Sequence, residues 1–85
     1  MPAVARQGDA ISHGGGIIGG AARTQAEGKP VARQGDLVSC AQHGMQVITG
    51  GSATVLVEGK PVARLGDLIS CGATIISGAG TVQAG

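Results

Sequence analysis

Apolar positions along this chain fall in short runs, none longer than a few residues, separated by glycine and small polar residues. That pattern predicts short strands and tight turns. The clearest case is Thr54-Val55-Leu56-Val57, then Glu58-Gly59-Lys60, then Pro61-Val62-Ala63-Arg64. β-formers flank a short glycine-containing turn, which reads as a β-hairpin. Pro61, at the start of the return strand, suits an edge position because it cannot donate to a ladder. The same turn recurs as Glu27-Gly28-Lys29, preceded by a poorer strand, Thr24-Gln25-Ala26. Each Val-Ala-Arg is followed, one residue on, by Gly-Asp, the signature of a tight turn in which glycine supplies an unusual φ and Asp bonds nearby backbone.

These elements are copies of one unit. Val4-Ala5-Arg6-Gln7-Gly8-Asp9-Ala10-Ile11-Ser12-His13 recurs as Val31 to Cys40 and as Val62 to Cys71, at offsets of 27 and 31 residues. The Ile17-to-Pro30 block matches Ile48-to-Pro61, and Ile76-to-Val82 is a third, partial version. The units run approximately 1–27, 28–58 and 59–85, within one domain and with no extension domain expected. The third hairpin lacks its turn. The N-terminus supplies only a return strand, Ala3 to Arg6, and the C-terminus only an outgoing one, Thr81 to Ala84. If these pair, the three hairpin repeats close on themselves. The expected fold is therefore small, all-β and pseudo-threefold, with adjacent termini. A solenoid fragment is the alternative, but no polar capping repeat is visible, and closure removes the exposed edges of a small open sheet.

Composition then raises a difficulty. Among 85 residues there are 17 glycines, no Phe, Trp or Tyr, and 19 Leu, Ile and Val. A chain this short has a marginal core even with aromatics, so a staple is expected. Disorder fits poorly, since 13% of residues are charged and mean hydropathy is +0.27. A net charge of +1 and the missing aromatics argue against nucleic acid as a partner. Stable membrane insertion is not expected, and the N-terminus has no apolar signal segment. Synthesis in the cytoplasm, with any export by another route, is the expectation.

The candidate staple is His13, Cys40, His43 and Cys71, which are all the His and Cys residues present. His13, Cys40 and Cys71 hold the same position in three units, and closure would bring them to the axis. His43 lies three residues beyond Cys40. Two thiolates and two imidazoles make a closed zinc set. A Cys40–Cys71 disulfide, buried free thiols and surface histidines are the alternatives. Four protein ligands leave no place for a reactive water, so a metallohydrolase is disfavoured and no catalytic residues are expected. Both histidines being committed, no Ser/His/Asp triad is assembled. Gly14 to Gly19 formally matches G-x-G-x-x-G, yet it opens no helix, and a tight backbone wrap is the better reading. Arg6, Arg33 and Arg64 each precede an Asp by three residues and are expected to form three equivalent turn-pinning pairs.

The Pro30-Val31-Ala32-Arg33 and Pro61-Val62-Ala63-Arg64 blocks, with the glycine-rich connectors and the His/Cys set, resemble the PAAR-repeat family. The first copy departs, with Pro2 one place early. The resemblance covers essentially the whole chain. It implies a cone with zinc near its pointed end and His13, Cys40, His43 and Cys71 at the ligand positions, two cysteines being a modest departure from a His-rich set. It also implies that the base caps the blunt end of a trimeric VgrG spike in a type VI secretion system, one copy per trimer. Such a protein is a monomer alone, sharpens the spike for envelope puncture, carries effectors and reaches target cells on the spike. A phage or other contractile tail tip, and a free-standing zinc binding module, are the alternatives. Val55, Val57 and Val62 are candidates for either the base or the interior.

Overall fold

The computed structural model describes residues 2–84. Among them are seven short strands and no helix: β1 (Gly15–Ile17), β2 (Gln25–Ala26), β3 (Lys29–Pro30), β4 (Leu37–Cys40), β5 (Gly44–Val47), β6 (Leu56–Val57) and β7 (Lys60–Pro61). All pairings are antiparallel, in a three-stranded sheet ordered β1-β4-β5 and in the hairpins β2-β3 and β6-β7.

Three Val-Ala-Arg segments form the centre. Ala5 N–H donates to Ala63 C=O, Ala63 N–H to Ala32 C=O, and Ala32 N–H to Ala5 C=O, at 2.9, 3.0 and 2.9 Å. This is a closed cycle of backbone bonds, one per repeat. Around it Val4 bridges Arg64, Arg6 bridges Val31 and Arg33 bridges Val62. Each segment therefore bridges both neighbours from positions two residues apart, and cannot build a continuous ladder with either. That is why the three segments expected as return strands are bridges rather than strands. The ring also explains the alanines. All three are fully buried, at a convergence where small side chains let the backbones approach.

The termini are adjacent, as expected. Ala3 bridges Gln83, Val4 N–H donates to Val82 C=O at 2.8 Å and Ala84 N–H to Pro2 C=O at 3.0 Å. The pair takes the place of the third hairpin. The two complete hairpins turn over Glu27-Gly28 and Glu58-Gly59, where φ is +53° and +80°, and +51° and +83°. Positive φ at both central residues matches the two-residue turn that suits strand twist. The turn is one residue shorter than the sequence suggests, because Lys29 and Lys60 pair with Ala26 and Val57.

Two apolar clusters flank the design. One holds Ile11, Ile17, Val38, Ile48, Ile69 and Ile75 with the three ring alanines and Cys40. The other holds Val4, Val31 and Val62 with Ala26, Ala79 and Ala84, and Val57 against it. Val62 is thus interior, Val57 half-buried and Val55 exposed. The β4-β5 hairpin, which only the second repeat forms fully, has no counterpart in the sequence expectations.

Candidate metal centre

Three loops from three repeats meet at one place. In the first, Gly14 N–H closes a turn onto Ile11 C=O, and β1 then runs along β4 with Gly15 opposite Cys40. The strands approach so closely that a Cβ at Gly15 would collide with the Ser39 carbonyl, and φ there is +92°. The glycine run is thus a strand edge pressed against β4, which sets His13 beside Cys40. In the second repeat, Ala41, Gln42 and His43 form the β4-β5 loop, and Gly44 at φ +76° returns the chain. In the third, Ile69 N–H bonds Ala73 C=O, Gly72 N–H bonds Ile69 C=O, and this tight turn presents Cys71. The loops are laced together: Ser12 N–H donates to Thr74 C=O, Thr74 N–H to Ser12 Oγ, and Ser70 N–H to Val47 C=O.

His13, Cys40, His43 and Cys71 each offer one donor atom, and these atoms all lie within 4.8 Å of one another. Cys40 Sγ is 3.8 Å from His13 Nδ1, 3.5 Å from His43 Nδ1 and 3.5 Å from Cys71 Sγ. Cys71 Sγ is 3.7 Å from His13 Nδ1. A tetrahedron with metal–sulfur bonds of about 2.3 Å and metal–nitrogen bonds of about 2.0–2.1 Å has edges of roughly 3.3–3.8 Å. Four of the six donor pairs therefore already stand at ligand spacing, and the four residues can bind a metal ion. Neither cysteine is in a disulfide. Burial pushes the Cys40 thiol upward, but contacts with His43, the Gln42 N–H, Cys71 and His13 more than reverse this and bring it down to about 6. A thiol of that kind is readily the thiolate that a metal requires.

The expected Arg–Asp pairs are present in all three repeats. Arg6, Arg33 and Arg64 bond Asp9, Asp36 and Asp67 through Nη2 to Oδ1 at 2.9, 3.1 and 3.0 Å. Each Asp Oδ2 also accepts the Arg Nε–H and the Arg backbone N–H. The pair pins the Gly-Asp turn that leads to each ligand loop. Two carboxylates outside the sequence expectations add to this. Glu27 accepts from Arg6 Nη1 at 3.0 Å, and Glu58 pairs with Arg33 Nη1 at 3.6 Å. Their only sequence signal is the repeated Glu-Gly-Lys-Pro, which reads as turn chemistry.

Small, all-β, closed through three repeats and carrying a four-donor His/Cys cluster, the chain belongs to a narrow class. A family model described as the PAAR motif matches residues 7–77, and the chain belongs to the PAAR-motif family. In general outline it is a PAAR-type spike-tip protein. Comparison with curated proteins found no match.

Proposed function

We propose that this protein is the metal-stapled tip that caps the blunt end of a trimeric VgrG spike in a type VI secretion system. The observation that carries the reading is the cyclic Ala5–Ala63–Ala32 hydrogen bonding. A single chain with three near-equivalent repeats presents similar contacts to each protomer of a true trimer. The face built by the β2-β3 and β6-β7 hairpins and the paired termini is the docking base. Its strand edges suit backbone pairing with a β-rich spike. The His/Cys cluster forms the opposite, pointed end of a cone and holds zinc, for which Cys2His2 is a closed structural set. Effectors ride on this assembly, and the tip leaves the cytoplasm with the spike.

The reading is tested by mixing the zinc-loaded protein with a cognate VgrG trimer and weighing the complex by native mass spectrometry. One chain and one zinc per trimer are expected. Three chains per trimer, or no complex, sinks the capping role. Stable capture by a phage tail spike instead moves the protein to that related machine.

A further inference from the structure

Cys40 Sγ and Cys71 Sγ stand 3.5 Å apart although the residues lie 31 positions apart in the chain. They sit on different repeats, Cys40 buried and Cys71 partly exposed. Cys71 is carried by the tight turn at Gly72, where φ is +91°. A disulfide needs the sulfurs at about 2.05 Å, so they have roughly 1.5 Å to close from their present 3.5 Å. The loops are held together without the sulfurs, by the Ser12–Thr74 and Ser70–Val47 bonds. Metal loss therefore leaves the two thiols facing each other.

We infer that Cys40 and Cys71 form a redox-interchangeable staple. When reduced, both sulfurs join His13 and His43 around a metal ion. When oxidised, they bond to each other and tie the second repeat to the third without it, a conclusion that rests on the metal-binding reading of the same four residues. The oxidant class is a hydroperoxide. The Cys71 thiolate, the more accessible, attacks one peroxide oxygen. The O–O bond breaks, Cys71 becomes a sulfenic acid and the remaining oxygen leaves as hydroxide from hydrogen peroxide or as alkoxide from an organic hydroperoxide. Cys40 Sγ then attacks the sulfenic sulfur, the S–S bond forms and hydroxide leaves. For hydrogen peroxide, two protons from solvent convert both hydroxides to water, and the two electrons given up by the sulfurs balance the reduction. Two imidazoles remain, too few donors to retain a metal ion tightly. The new crosslink constrains the unfolded chain between residues 40 and 71, while the first repeat, which the metal joins through His13, is released. Reducing cytosol favours the thiols, and an oxidising surrounding favours the disulfide.

The test titrates the zinc-loaded full chain with hydrogen peroxide. Zinc release is followed with a chromophoric chelator, and intact mass is read after alkylation under denaturing conditions. Expected are release of zinc in step with a loss of about 2 Da per monomer, reversal by reductant plus zinc, and an oxidised chain that melts above the reduced, metal-free one. Cys71→Ser must abolish the 2 Da loss. Zinc release with both thiols still alkylated, conversion to sulfinic acid, or disulfide-linked dimers overturns the interchange. Zinc content before oxidation separates the two readings. Zinc bound without subsequent disulfide overturns the interchange alone, whereas no zinc at the outset overturns the metal reading as well.

Discussion

Glu27 and Thr81 lie 54 residues apart, yet one carboxylate oxygen of Glu27 accepts both the Thr81 backbone N–H at 2.8 Å and its hydroxyl at 2.7 Å. The other oxygen takes Arg6 Nη1. Glu27 thus clasps both ends of the chain, from a residue held at positive φ. Those bonds hold its carboxyl below the usual range, the Thr81 hydroxyl contributing most. Glu58 repeats the arrangement on Arg33, the Arg23 N–H and the Thr24 hydroxyl.

Glu27→Ala is expected to loosen the C-terminal segment without opening the ring. Amide exchange at Thr81 should accelerate by about tenfold or more, as its partner is lost and only local opening limits it. Exchange at Ala5, Ala32 and Ala63 should stay slow. Glu58→Ala should act the same way on Arg23 and leave Thr81 alone. Hydrogen-exchange mass spectrometry or NMR reads both outcomes.

Acid should act through Asp9. Its carboxylate is almost fully buried. Burial pushes its pKa up, but the Arg6 side chain and backbone N–H, the Arg6 charge and the Ser77 hydroxyl outweigh this and hold it below the ordinary value. The unfolded chain therefore binds a proton more readily than the folded one. The stabilisation is fully present above the unfolded value of about 3.9 and is lost as pH falls through the lower folded one. Asp9→Asn keeps the shape but removes the charge. It should lower stability at pH 7 by about 1.5–3 kcal/mol, the range for hydrogen bonds to charged groups. The difference from wild type should shrink in denaturant titrations taken below pH 4.

Much of this architecture is legible in the residues themselves. The triplicated Val-Ala-Arg-x-Gly-Asp blocks give the repeats, the split third hairpin gives the pairing of Ala3 with Gln83, and equivalence of position picks out His13, Cys40 and Cys71. His43 is legible from its place three residues beyond Cys40 and as the remaining His of the chain, not from repeat equivalence, because its β4-β5 loop is unique to the second repeat. The central ring was not legible. It arises from each segment sharing its two bonds between two neighbours, which no local period encodes. Glu27 and Glu58 were hidden too. Sequence places them in turns, and only closure brings Thr81 and Arg23 within reach of them.

Gly15 should be the least replaceable of the site glycines tested. At Gly8, φ is +93° but a Cβ would meet open space, while at Gly15 it would strike the Ser39 carbonyl. Gly8→Ala should therefore cost about 1–2 kcal/mol, for the left-handed backbone alone. Gly15→Ala adds an overpacking cost of about 1–3 kcal/mol. It also pushes β1 off β4, where Gly15 faces Cys40. Thermal unfolding should rank the two variants in that order. Competition with a chelator should show weaker metal retention for Gly15→Ala only.

Metal removal should cost stability in a way that depends on which repeats the remaining ligands join. Cys40 and His43 sit on one hairpin, so His43→Ala removes a donor while the others still connect all three repeats. His13 is the first repeat's only member of the four-donor cluster, 3.8 and 3.7 Å from the two sulfurs. His13→Ala leaves a metal that ties only the second and third repeats. Both variants should bind metal more weakly. At saturating zinc His43→Ala should recover most of its melting temperature and His13→Ala should not. The first loop should then exchange faster at Ser12, whose N–H bonds Thr74. Ile48→Val, inside the neighbouring apolar cluster, calibrates the scale at about 0.5–1.5 kcal/mol. Chelation of the wild-type chain should exceed that cost, because a core without aromatic residues gains more from a four-donor crosslink than from any one methylene. Equal recovery of both histidine variants would show that the ion supports its own loop rather than joining the repeats.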